Sequence, residues 1–250
     1  MTDSAGVPWA GRQFDHDAPS DDDGSAPEAL IEALRRFRAR ELGEAGVVAV
    51  LRESRLLVPL VARLGESGIG DHGHTVDKSA ELSIVTVSGP DGRNVLPAFS
   101  SVEAMGRWNP VARPVPADAV RVALAAASEA TELLVLDPTS PTEFVIRRPA
   151  LWAIAQSQPW LPSYLDDELR AEFLAAAASE PAVASLLLAP GDPDARLAGP
   201  ELVVHLGLAP GLGRDELDGL LERLQRRWAE SGPIATRVDS MRVQLATAGT

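Results

Sequence analysis

Apolar residues in this chain recur at helical spacing in some stretches and alternate or run together in others, and the two patterns divide it into elements. Leu30, Ile31, Leu34 and Phe37 form one face of a helix running to about Arg40. Ser25-Ala26-Pro27-Glu28 before it reads as a capping box with proline in the first turn. Glu44 to Arg52 reads as a second helix presenting Val47, Val48 and Leu51. Arg55 to Val61 is a nearly continuous apolar run, which predicts a central strand with an irregularity at Pro59. A long polar loop, Gly65 to Lys78, follows. Glu81 to Val87 alternates between two faces, and Arg93 to Phe99 lies just beyond Pro90-Asp91-Gly92. Asp-Gly between apolar runs signals a hairpin, because glycine tolerates the positive φ of the turn, so these two strands are expected to pair. Pro97 has no N–H for a ladder and should end its strand or sit at an edge. Ser100-Ser101 followed by Glu103 reads as a helix start, with Met105 and Trp108 on one face and Asn109-Pro110 as the stop.

Further along, Pro116 to Ala130 predicts an alanine-rich helix with Val120, Leu124 and Ala127 inward. Leu133 to Leu136 and Glu143 to Ile146 predict two strands around the turn Asp137-Pro138-Thr139-Ser140, and Pro149 opens a short helix carrying Leu151, Trp152 and Ile154. Gln156 to Pro162 reads as a linker. Asp166 to Ser179 predicts a helix with Leu169, Phe173 and Leu174 inward; Val183 to Leu188 and Leu202 to Leu208 predict strands joined by a Gly/Pro/Asp loop. Arg214 to Glu230 is the clearest amphipathic helix, with Leu217, Leu220, Leu221, Leu224 and Trp228 on one stripe and Ser231-Gly232-Pro233 as its end. Val238 to Leu245 is expected to be the last strand, Met241, Val243 and Leu245 on one side and Arg242 and Gln244 on the other. The expected fold class is α+β, in mixed α/β layers. Residues 1–24 read as an acidic tail, disordered in isolation, 25–157 as an N-terminal domain, and 163–250 as a smaller α-β-β-α-β C-terminal domain. The smaller domain is thin in apolar residues and is expected to lean on the first.

The segment LPAFSSVEAMGRW, Leu96 to Trp108, resembles the "LPvFTS…W" pattern of the SseB family, the enhanced-serine-sensitivity proteins, in the form found in high-GC actinobacteria. It departs by Ala98 in place of a bulkier residue and by Ser100 in place of threonine. Leu56-Leu57-Val58-Pro59 and Leu133 to Pro138 are similar to flanking parts of the same family, whose members often carry Asn-Pro where this chain has Asp137-Pro138. The likeness is good over about Leu30 to Pro149 and loose beyond. It implies an SseB-like N-terminal domain and no particular reaction: the family name records a phenotype.

Composition narrows the chemistry. The 250 residues contain no cysteine, which excludes disulfides, thiolate metal sites and thiol nucleophiles. The net charge is −13, and Asp3, Asp15, Asp17, Asp21, Asp22, Asp23 and Glu28 against Arg12 hold nearly half of it near the start. An acidic chain without a basic stripe repels phosphate, so neither nucleic acid nor an anionic membrane is an expected partner. There is no long apolar run and no basic-then-apolar leader, so a cytoplasmic location is expected. In the acidic tail, Trp9 and Phe14 are candidates for docking onto the chain's own domain or a neighbour's, since an aromatic side chain loses much in water.

Several constellations resemble sites. Gly68-Ile69-Gly70-Asp71-His72-Gly73 spells G-x-G-x-x-G, but a dinucleotide fingerprint must open a helix, and a strand is expected here. His72, His74 and Asp77 lack an evident fourth metal ligand, so no metal and no cofactor is expected. Lys78, the one lysine, either meets a carboxylate or carbonyl ligand or pairs with Asp77 or Glu81. Ser100-Ser101 has neither a G-x-S-x-G elbow nor a nearby histidine base, so no catalytic residue is assigned. The expectation is a non-catalytic binding or regulatory module that engages a protein partner or a small ligand through Lys78, Pro97, Phe99, Ser100, Ser101 and Trp108. The alternatives are an amino-acid sensor or enzyme using Lys78 and the Ser100 helix start, and a homo-oligomer formed through Leu217 to Trp228.

Overall fold

The computed structural model describes residues 22–63, 81–84, 86–89, 91–128 and 131–247. Among them, helices α1 (Glu28–Arg38) and α2 (Glu44–Arg52) precede strands β1 (Arg55–Arg63), β2 (Glu81–Ile84), β3 (Val87–Ser88) and β4 (Asn94–Ala98). Then come α3 (Val102–Trp108), β5 (Arg113–Asp118), α4 (Ala119–Ser128), β6 (Leu133–Leu136), β7 (Phe144–Ile146) and α5 (Arg148–Ala155). After a 3-10 turn at Ser163–Leu165 follow α6 (Asp167–Ala177), β8 (Val183–Pro190), β9 (Leu202–Leu208), α7 (Arg214–Glu230), α8 (Gly232–Arg237) and β10 (Met241–Thr247). The strands form three sheets, ordered β2-β1-β5, β3-β4-β6-β7 and β10-β9-β8. The fold is therefore α+β, an N-terminal part with two sheets and a smaller part of α-β-β-α-α-β order, one helix more than the expected α-β-β-α-β.

The four-stranded sheet is the centre of the N-terminal part. β4 and β6 run parallel, as the long crossover through α3, β5 and α4 allows. Alternation sorts the side chains. Leu96, Ala98, Leu134, Leu136, Phe144 and Ile146 face α1, α2, α4 and α5, where Phe37 meets Phe144 edge-on at 5.1 Å. Val95, Leu133, Val135 and Val145 face the other way and are covered in part by Leu197, which comes from the C-terminal part. β1 is the middle of its own sheet and touches the larger one at a single bridge, where Leu57 and Phe99 exchange backbone hydrogen bonds of 2.8 and 2.9 Å.

Several expectations are corrected. The stretch expected to pair whole with β4 is split: Val87–Ser88 pairs with β4, while Glu81–Ile84 pairs with β1. The turn itself forms, with Gly92 at φ 82° and Gly89 closing onto Arg93. No capping box forms at α1, because the Ser25 amide goes to Asp23 and its carbonyl to Arg55. Pro116 to Asp118 belongs to β5, so α4 begins at Ala119; it buries Ala119, Val122, Ala123 and Ala126 and leaves Leu124 on the surface. Leu174 and Trp152 also lie outside, Trp152 under the Arg148 guanidinium at 5.4 Å. The last strand starts at Met241, because residues 232–237 form α8.

In the C-terminal part β8 and β9 are antiparallel, β9 and β10 parallel, and α6, α7 and α8 cover one face. Leu220, Leu224 and Trp228 of α7 are buried there, Trp228 against Phe173 at 5.3 Å. The loop Gly191 to Pro200 leaves this sheet through a narrow neck: a Cβ on Gly191 would lie 2.3 Å from the Pro200 carbonyl, so only glycine fits. The loop reaches the N-terminal part, where the Ala195 carbonyl accepts from the Val145 amide of β7 at 2.9 Å.

Candidate functional site

The corner where β4 ends is built by Asp137, just past β6. Its carboxylate accepts from the Ser100 amide (2.7 Å), the Ser100 hydroxyl (2.7 Å) and the Thr142 hydroxyl (2.8 Å). Asp137 and Ser100 are both buried, so the cost of enclosing a carboxylate is offset by three donors. Ser101 then caps α3, its hydroxyl oxygen accepting from the Ala104 amide at 3.1 Å. Met105 and Trp108 turn back onto Phe99 and Leu57, with the Trp108 ring 5.3 Å from that of Phe99.

Five of the six expected surface residues thus come together, but in two different situations. Pro97, Phe99 and Ser100 are buried. The Ser100 hydroxyl is spent on Asp137, so it does not offer itself to a ligand carboxylate. Ser101 and Trp108 are partly exposed, flanked by Val102 (46% exposed) and Val111 (75%). The outer surface of α3 therefore sets Val102 and the edge of Trp108, with Val111 just beyond the helix, beside the exposed Glu103–Arg107 ion pair, all on a rigid base. The sixth residue, Lys78, lies outside the described residues, as do His72, His74, Asp77, the glycine-rich stretch and the tail residues Trp9 and Phe14.

A second polar cluster lies where the two parts of the chain meet. Arg147, at the end of β7, donates to Asp192 (2.7 Å), the Gly199 carbonyl (2.8 Å), Asp239 (3.1 Å) and Ser240 (3.3 Å). Arg93, from the β3–β4 turn, grips both oxygens of Asp239 at 2.9 and 3.1 Å. The two guanidiniums offset the two buried carboxylates, and Arg93 also holds the more exposed Asp91 at 2.7 Å. Burial alone would raise the Asp239 pKa, but the Arg93 hydrogen bonds and the charges of Arg93 and Arg147 hold it below the usual carboxylate range. Asp192 also accepts from the Arg196 and Leu197 amides and so shapes the loop.

Next to this quartet stand two acids that pair with no guanidinium among the described residues. Glu201 accepts from the Asp239 amide at 2.6 Å, and burial raises its pKa. Glu44, at the start of α2, accepts from the Tyr164 hydroxyl at 3.1 Å. Burial, with Glu201 adding to it, pushes Glu44 up to about 7 even though the Tyr164 bond pulls the other way. Glu44 and Tyr164 line an open cleft of about 430 Å³ together with Phe37, Arg40, Leu42 and Pro193. The Ser163 hydroxyl beside Tyr164 is buried with no hydrogen-bond partner among the described residues. Sequence reading missed this cluster, since its members come from positions 44, 93, 147, 164, 192, 201 and 239, and no local spacing links them.

Among the described residues no three His, Asp or Glu side chains are grouped to hold a metal ion, and no helix is long and apolar enough to cross a membrane. Of the α7 stripe expected as an oligomer interface, Leu220, Leu224 and Trp228 are buried within the C-terminal part, while Leu217 and Leu221 pack against them and stay partly exposed. Residues 30–153 match the family model described as the SseB protein N-terminal domain. No curated protein and no solved structure matches the chain.

Proposed function

Because the chain belongs to the SseB family through its N-terminal domain, we propose that it is a non-catalytic, cytoplasmic binding or regulatory module that engages a protein partner through the outer surface of α3. The observation that supports this reading is the contrast at that surface. Val102, Val111 and the edge of Trp108 stand on a base locked by Phe99, Met105 and the Asp137 hydrogen bonds. Apolar side chains held rigidly at the surface lose little entropy on binding, which is what an interface centre needs. The test is recovery of partners from lysate of the source cell on immobilised full-length chain. Trp108→Ala and Val111→Asp should each lose a protein that the wild type and a distant surface variant, Leu165→Asp, retain. Equal recovery by all four would overturn the placement on α3.

A second reading, a small-molecule sensor, draws on the junction cleft and its Glu44–Tyr164 pair. A ligand there links the two parts of the chain and raises the unfolding temperature at saturating concentration. A thermal-shift screen of amino acids and simple amines tests it. A shift seen with the wild type and lost in Glu44→Gln supports the cleft, and no shift with any compound tells against it.

A further inference from the structure

We infer that β10 is a self-association strand: two copies of this chain pair their β10 strands antiparallel about a two-fold axis at Val243, joining two three-stranded sheets into one. An unpaired sheet edge is a template for another strand, and proteins blunt the edges they do not use. The edges of β5, β7 and β8 are blunted. Leu57 exchanges its backbone bonds with Phe99, so its pair with Pro116 across β1 and β5 is not hydrogen-bonded, and neither is Pro59 with Pro114 two residues on. Pro114 and Pro116 therefore point their nitrogens at the outer edge of β5, where they remove two donors. The edge of β7 is occupied by Ala195, and β8 is interrupted between Val183 and Ser185 and ends on Pro190.

β10 has none of these devices. Its seven residues contain no proline and a single charge, Arg242, and six of the seven are exposed. Met241 lies opposite Leu202, and the Leu202 amide donates to the Ser240 carbonyl. In a parallel ladder this turns the backbone groups of Arg242, Gln244 and Ala246 toward β9 and those of Met241, Val243, Leu245 and Thr247 outward.

Among the described residues only β9 pairs with β10, and the sequence of the outer edge is complementary to itself. With the axis at Val243, Met241 faces Leu245 of the partner subunit, and Val243 faces Val243 of the partner subunit. All of these are hydrogen-bonded pairs that use the outward backbone groups. On the opposite face Arg242 meets Gln244 of the partner subunit, so no like charges oppose. An axis at Arg242 would set guanidinium against guanidinium and present backbone groups already used by β9. The pairing also covers Met241 and Leu245, 37% and 41% exposed, and sets the Met241 of the partner subunit over a groove of about 260 Å³ lined by Leu212, Leu217 and Leu245. A seven-residue edge is a small contact beside the standard interface of about 1,600 Å², so the association is reversible.

Light scattering on the full chain tests this. The mass should rise with concentration toward twice 26.4 kDa. Leu245→Pro removes only an outward N–H, and Met241→Lys places a charge in the contact. Each should return the mass to that of the monomer with circular dichroism unchanged. Because the chain has no cysteine, Val243→Cys is a clean reporter. Hydrogen-bonded antiparallel pairs hold their Cα atoms about 5.5 Å apart, within disulfide range. Oxidation should therefore link Val243→Cys into a dimer many-fold faster than Arg242→Cys, whose two copies lie diagonally. A monomer at every concentration, or cross-linking no faster at 243 than at 242, overturns the inference, as does a dimer indifferent to Leu245→Pro and Met241→Lys.

Discussion

Asp137 holds a left-handed backbone, φ 47°, while its carboxylate takes three hydrogen bonds from across the β4–β6 end. Asp137→Ala removes the acceptors and keeps the unfavourable φ, leaving the buried Ser100 amide without this partner. A loss of about 3 kcal/mol is expected in chemical denaturation, with Asp137→Asn losing less because asparagine tolerates that φ and retains one acceptor. Glu44 sets a pH dependence. Its pKa rises from the ordinary 4.5 to about 7 on folding, so the folded state binds the extra proton between those values. Stability from this group is full below pH 4.5 and is lost as pH rises through 7, by up to about 3 kcal/mol. Urea midpoints at pH 5 and pH 8 should differ less in Glu44→Gln than in the wild type; an unchanged difference would show that this carboxyl stays ionised throughout. The Ser101 cap was readable in advance, because serine and the amide it serves are three residues apart. Asp137 is legible in the sequence only as part of a turn, since its bond to Ser100 spans 37 residues.

The two opposed prolines, Pro59 and Pro114, show why an element can defeat a local rule. Pro59 suggested an irregular strand, yet β1 keeps its register with β5 from Arg55 to Leu60, because both rings fall where the ladder needs no N–H. Replacing Pro114 and Pro116 together by threonine should leave the melting temperature nearly unchanged while adding association beyond that of the wild type in light scattering, because the edge of β5 regains its donors. A variant that associates no more than the wild type would mean something else guards that edge. Strands that are short, nearly continuous apolar runs, such as β9, are legible from their side chains alone. The phase of α4 was not: its alanines give several stripes of similar apolarity, and packing against α5 and β6 chose the one through Val122 and Ala126.

The junction decides how the molecule behaves as a unit. Arg147 is 7% exposed and neutralises two carboxylates from the far side, so Arg147→Ala leaves Asp192 and Asp239 buried with less compensation. The expected cost is about 3–5 kcal/mol, with one unfolding transition becoming two as the halves separate. A single unshifted transition would show that apolar contacts alone couple them. That the smaller half leans on the larger was inferable from its thin core; that it does so through a Gly/Pro/Asp loop was not, because the loop's partners are set by charge pairing across distant positions. Cutting the chain at its linker would therefore not liberate a well-behaved domain. A fragment ending at residue 157 keeps the whole family-matched span yet forfeits the carbonyl that occupies the Val145 amide and the leucine that roofs Val95, Leu133 and Val135. Such a fragment should accumulate in inclusion bodies, and supplying Gly191 to Pro200 as a separate peptide should bring part of it back into solution.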